Sequence, residues 1–178
     1  RSYEEYFSEL SARVKNTVER KSRAFEKLAN TEVKLFTDSN DVETAISAFQ
    51  HVYKKSWKRP EPYPEFIPEL IRKAARQRAL RLGVIYISGA PVASQLWIVA
   101  DEAAYIFKLA YDEEFKKLSA GTILTAFLMR YVIDVDKVKV VDFLSGDDNY
   151  KKEWMSCRRE RYSLHIYNIR SFFGIKLL

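Results

Sequence analysis

Apolar residues recur at Tyr3, Phe7, Leu10, Val14, Val18, Phe25 and Leu28, set among charged residues. Spacings near three, four and seven line one side of a helix, so the pattern predicts a single amphipathic helix from Tyr3 to about Leu28. "TEVKLFTD" alternates Val33 and Leu35 with charged residues, the period of a short strand. Asp41 then precedes "VETAISAFQHVYKKSW", where Val42, Ile46, Phe49 and Tyr53 share one face of a second helix.

"KRPEPYPEFIP" carries four of the five prolines and reads as a stiff connection without regular structure to about Pro64. Trp57, Tyr63 and Phe66 around it either line a cleft or cover the core. "PELIRKAARQRALRL" predicts a helix with a basic outer face, after which the period changes to two. "GVIYIS", "PVASQLWIVA" and "AAYIFKLAY", with turns at Gly89-Ala90 and Asp101-Glu102, predict an antiparallel three-stranded meander. Leu124, Phe127, Leu128 and Tyr131 predict a covering helix, "KVKVVDFL" a strand, "SGDD" a turn and "NYKKEWM" a short helix. "RRERYSLHIYN" predicts a final strand. The order gives one α/β domain with a mixed sheet over residues 31–178, behind an N-terminal amphipathic helix within residues 1–30.

A chain of 178 residues that is 47% hydrophobic supports a sizeable core. Its apolar runs are too short for a membrane span and its charged start is not a signal peptide, so the expected location is cytoplasmic. Cys157 stands alone, which excludes an intrachain disulfide, and with only His51 and His165 beside it no metal site is expected. His51 falls off the apolar face of its helix, and His165 reads as a structural histidine within a strand. A net charge of +6 favours an anionic partner. Nucleic acid, acidic lipid and a phosphorylated cofactor all qualify, and solvated basic faces are an equal reading of the individual runs.

Candidate chemistry starts at "KKLSAGTILTAF", Lys116 to Phe127, between a strand and a helix. In one reading Ser119 caps the helix and Gly121 sits in its first turn. In the other, the amides around Ala120 and Gly121 and the hydroxyls of Ser119 and Thr122 hold a phosphate, with Lys116 and Lys117 adding charge. Asp142, between Val141 and Phe143, is a candidate base or the partner of a buried cation. Asp112 ends the preceding strand and is a second candidate carboxylate, while Asp147 and Asp148 fit a turn and helix cap. Alternation places Lys108 on a face with Ala104, Ile106 and Ala110, alongside Gln95 and Trp97 of the neighbouring strand. These are acceptor-cleft contacts, or Lys108 is paired with a carboxylate for structural reasons.

From Thr31 to Asn168 this element order resembles the GNAT superfamily of acyl-CoA-dependent N-acyltransferases. In that family the fourth strand leads into a loop of pattern Gln/Arg-x-x-Gly-x-Gly/Ala that binds the pyrophosphate of coenzyme A. "KKLSAGT" stands in its place, with Lys116 for Gln/Arg, Ser119 for the first glycine and Gly121 retained. The resemblance implies acetyl-CoA or another acyl-CoA as co-substrate, with Leu109, Ala110 and Tyr111 beside the thioester. It implies Tyr150 as the acid for the leaving thiolate; packing by Tyr150 and Trp154 is the alternative.

"SWK" at Ser56 to Lys58, "GAPVASQLW", "KLAYDEEF", "SAGTILTA" and "VDFLSGDDNYKKEW" resemble more narrowly a branch associated with bacterial cellulose and exopolysaccharide synthesis, related to the Fem aminoacyl transferases. That implies an amine or sugar-hydroxyl acceptor, contacts from Trp57, Lys58, Gln95, Trp97 and Lys108, and a chain forming the C-terminal part of a longer protein. A Fem-like transferase using aminoacyl-tRNA, and a nonenzymatic binding domain on the same fold, are the alternatives.

Overall fold

Ser2 accepts from the amide of Glu5 while the Glu5 carboxylate accepts from the amide of Ser2, and this capping box opens α1 (Tyr3–Glu9). Leu10 is extended, and Ser11 then accepts from the amide of Val14 to open α2 (Ala12–Glu26). The single helix expected from Tyr3 to Leu28 is therefore two. The apolar spacing runs across the break because both helices turn the same side inward. The computed structural model describes residues 1–166 and residue 170.

The strands are β1 (Thr31–Phe36), β2 (Leu80–Ile87), β3 (Ala90–Ala100), β4 (Ala103–Tyr111) and β5 (Val140–Asp142), and they lie in that order in one sheet. β1 to β4 pair antiparallel, whereas β5 pairs parallel with β4. Between β1 and β2 come α3 (Val42–Lys55) and α4 (Phe66–Arg76); between β4 and β5 come a 3-10 helix (Glu113–Leu118) and α5 (Ala120–Asp134). α6 (Asn149–Trp154) follows β5.

Each sheet face buries one stripe of side chains. Ile85, Trp97, Ala104 and Ile106 pack with Tyr3, Val14 and Val18 of the N-terminal helices and with Leu124 and Leu128 of α5. Leu82, Val84 and Leu96 pack with Ile46 and Phe49 of α3 and Ile71 of α4. Tyr6 donates to the carbonyl of Trp154 at 2.6 Å, and the Tyr3 amide donates to Asp134 at 2.8 Å. These bonds fasten α1 to the ends of α5 and α6. α5 lies so close to the sheet that a Cβ on Gly83 would stand 2.8 Å from Leu124 Cδ1, so the absent side chain sets that spacing.

Three expected boundaries move. The helix predicted from Pro68 to Leu82 ends at Arg76: Arg78 takes a φ of 56° and the Ala79 amide returns to the Ala74 carbonyl at 2.9 Å. This is a left-handed helix stop built without glycine, which concealed it in the sequence. The strand read at "KVKVVDFL" shrinks to three residues. The strand read at "RRERYSLHIYN" is irregular over residues 158–166, with Tyr162, Leu164 and Ile166 exposed; its last two residues lie outside the described ones. Alternation there has no pairing edge among the described residues, and without one it does not make a strand.

Candidate active site

The ladder between β4 and β5 joins Ala103, Ala104 and Tyr105 to Val140, Val141 and Asp142, and stops. Its end has a local cause. Asp142 accepts from the amide of Leu144 at 2.7 Å, Leu144 takes a φ of 57°, and the chain turns away. From Ile106 to Tyr111 the outer edge of β4 has no strand partner among the described residues, so its backbone groups there are not taken up by sheet pairing. Asp142 thus closes a strand instead of lying at the centre of one. It is partly exposed and stands 3.7 Å from Arg161.

At the far end of β4, Asp112 is buried, accepts from the amide of Glu114 at 3.0 Å and lies 3.2 Å from Lys55 Nζ. It caps the 3-10 helix and ties it to the end of α3. Ser119 follows in the left-handed region, φ 55°, and its carbonyl accepts from the amides of Thr122 and Ile123. The expected cap is half right: Ser119 is the N-cap residue, but its hydroxyl makes no capping bond. A serine cap works from extended backbone, and the left-handed turn carries the side chain elsewhere. The amides of Ala120 and Gly121 have no acceptor among the described residues. Both are therefore unpartnered at the positive end of α5, Ala120 in a buried residue and Gly121 in a partly exposed one. Lys116 and Lys117 are exposed beside them.

Gly121 is not demanded by crowding inside the chain, since a Cβ there would meet nothing closer than Tyr111 Cδ1 at 3.6 Å. Its carbonyl is fixed from below by Gln95 Nε2 at 2.9 Å and by Thr125 Oγ1 at 2.9 Å. Gln95 also donates to Thr125 at 2.8 Å and accepts from Trp97 Nε1 at 2.9 Å. Gln95 and Trp97 are wholly buried, so the structure places them under the loop and not on an open cleft wall.

Lys108 lies on the opposite face. The register of β3 with β4 jumps from Leu96↔Lys108 to Trp97↔Ile106, leaving Phe107 as a bulge. The extra residue inverts the alternation, so Lys108 keeps Ala110 as a face-mate and loses Ala104 and Ile106. It points toward α3 and meets Glu61 Oε1 at 2.5 Å. Tyr53 also donates to that carboxylate. Lys108 first and Tyr53 second hold the Glu61 carboxyl below its usual range, while burial first and Glu61 second push the Tyr53 phenol up. Neither Glu61 nor Tyr53 stood out in the sequence. Glu61 was hidden in the proline-rich connection, where a carboxylate between two prolines was the available signal.

Trp57 lies 4.5 Å from Tyr111, ring to ring, and Lys58 Nζ stands 5.5 Å from the Trp57 ring. Burial, and secondly Lys108, lower the Lys58 pKa. Tyr111 therefore links two regions, with Gly121 on one side and the Trp57–Lys58 pair on the other. Leu109 and Ala110 precede it on the unpaired part of β4. Tyr150, on α6, packs 6.2 Å from Phe143, and burial first and Asp148 second push its phenol up to about 12. Open hollows along α2 and beside α4 hold none of these residues.

A strand edge without a partner over half its length among the described residues, with unpartnered amides at its end and ionisable side chains on the α3 side, suits a ligand whose anionic end needs anchoring. Comparison with known proteins shows the family and the fold. The family model described as "Acetyltransferase (GNAT) domain" matches residues 12–152. An aminoglycoside acetyltransferase from an uncultured soil metagenomic sample, solved with trehalose, is 15% identical with a TM-score of 0.55, covering 78% of this chain and 96% of that one. A possible acetyltransferase from Clostridium difficile 630 is 14% identical with a TM-score of 0.56, covering 78% and 99%. The ribosomal-protein-alanine N-acetyltransferase from Brucella melitensis biovar Abortus 2308 is 12% identical with a TM-score of 0.54, covering 76% and 99%. At these identities the structures share the fold. No curated protein matches the sequence.

Proposed function

The chain belongs to the GNAT acetyltransferase domain family, and from that premise we propose that it moves an acetyl group from acetyl-CoA to an amine or sugar hydroxyl. The observation that carries this reading is the junction at Tyr111, where the unpaired half of β4 runs into a helix start with two open amides.

In this reading the amides of Ala120 and Gly121 hold the pyrophosphate, helped by the hydroxyls of Ser119 and Thr122 and the charges of Lys116 and Lys117. The residues fit such a group, because the first turn carries no Cβ at Gly121 and no competing cap. Leu109, Ala110 and Tyr111 offer backbone groups to the pantetheine, and one of their amides faces the thioester oxygen, where negative charge develops during attack. Tyr150 holds its proton through neutral pH, as an acid for the departing thiolate must. The acceptor enters past Trp57, Lys58, Glu61 and Lys108 on the α3 side. Asp142 and Asp112 serve the architecture, one ending β5 and the other seating the 3-10 helix. A cytoplasmic location would supply the acyl donor. The narrower likeness of "SWK" and "VDFLSGDDNYKKEW" to the exopolysaccharide branch favours a saccharide among the acceptors.

Calorimetric titration with acetyl-CoA, beside dephospho-CoA and a Gly121→Glu variant, tests the donor half. Binding by the native chain and none by the variant is expected. A native chain that ignores acetyl-CoA overturns the reading and moves weight to an aminoacyl-tRNA donor or a nonenzymatic domain.

A further inference from the structure

We propose that Lys58 reads a negative charge on the acceptor, so that the site selects compounds carrying a carboxylate or phosphate near the group to be acylated. This rests on the acyl-transfer reading and deepens it. The charged groups that act on the Lys58 ammonium are Lys108, Glu61, Asp148 and Lys151. Each carboxylate is already held by a lysine other than Lys58. Glu61 is taken by Lys108 at 2.5 Å and by the Tyr53 hydroxyl. Asp148 faces Lys151 at 3.6 Å, and Lys151 is itself buried and donates to the Ser145 carbonyl at 2.5 Å. Lys58 has no ion pair among the described residues, and one positive charge is left over.

An ordinary surface lysine in that position extends into water. Lys58 is instead half-buried with its ammonium against the indole of Trp57, where desolvation first and the charge of Lys108 second oppose protonation and Glu61 and Asp148 only partly offset them. A bound anion relieves both costs at once. Trp57 is about half exposed, and its contact with Tyr111 sets the pair beside the unpaired part of β4. The acceptor anion is thereby placed on the α3 side while the donor phosphates lie at α5. A polycationic acceptor is repelled by the same charge.

The test measures binding of matched probes to the coenzyme A-loaded chain by calorimetry, and their turnover by coenzyme A release. Glucosamine 6-phosphate beside glucosamine reads phosphate; tyrosine beside tyramine reads carboxylate; spermidine is the polycation. At least one anionic probe is expected to bind about tenfold tighter than its partner, the worth of one charge-assisted hydrogen bond. Lys58→Met, which breaks no ion pair, should fold normally and lose the preference through KM at constant kcat; Lys58→Arg should keep it. Equal binding within both pairs, a preference that survives Lys58→Met, or tight binding of spermidine overturns the proposal. The two readings fail separately. Lys58-dependent anion selection without any coenzyme A release removes acyl transfer and leaves the anion site standing, whereas turnover indifferent to charge does the reverse.

Discussion

The side-chain amide of Gln95, in the middle of β3, donates a 2.9 Å hydrogen bond to the carbonyl of Gly121 in the first turn of α5. Through it the centre of the sheet holds the turn that presents the open amides. The same glutamine accepts from Trp97 Nε1 and donates to Thr125, so one buried side chain satisfies three neighbours. Gln95→Leu leaves the buried indole N–H without its partner, and unfolding free energy in urea should fall by about 1–3 kcal/mol. The KM for acetyl-CoA should rise with kcat nearly unchanged, since the reacting atoms are untouched. Unchanged stability would mean that the network does not hold the turn.

Gly121→Ala separates packing from ligand contact. The added Cβ meets Tyr111 at 3.6 Å, an ordinary contact, so thermal unfolding should stay the same or rise slightly. Acetyl-CoA affinity should fall, because the methyl group occupies the approach to the amides. A variant that binds as well as the native chain places the phosphates elsewhere.

Asp112 combines a cap with an ion pair to Lys55. Asp112→Ala should cost about 1–2 kcal/mol of stability, the usual worth of a lost cap. It should raise the KM for acetyl-CoA through a displaced 3-10 helix while kcat stays within a few-fold. Steady-state kinetics on the folded variant decide the point: loss of kcat at constant KM would make the carboxylate part of the chemistry.

Tyr150 bears on pH. Its acid form disappears only as pH rises through about 12, so the alkaline limb of the kcat profile below pH 11 should belong to other groups. Tyr150→Phe should lower kcat by about 100-fold or more, the ordinary contribution of a positioned acid, with acetyl-CoA binding retained. A kcat unchanged in the variant would leave Tyr150 as the packing partner of Phe143.

Local periodicity determined most of the fold, because an element that buries one face must repeat its apolar residues at its own period. The meander, α3, α5 and the short helix at Tyr150 all followed from it, and the resulting order with "KLSAGT" pointed to the family. Tertiary structure decided what has no local signal. The bulge at Phe107 inverted the face of Lys108, and the left-handed stops at Arg78 and Ser119 used residues other than glycine. Asp142, read as a buried charge, proved to end a strand, and that ending leaves the rest of the β4 edge without a strand partner among the described residues. Glu61 and Lys108 are 47 residues apart and meet only because the proline-rich connection folds back over β4. Composition fixes how many charges a chain carries, but which of them meet depends on where the fold places every other charge, and beside Trp57 the fold gives both nearby carboxylates to lysines other than Lys58.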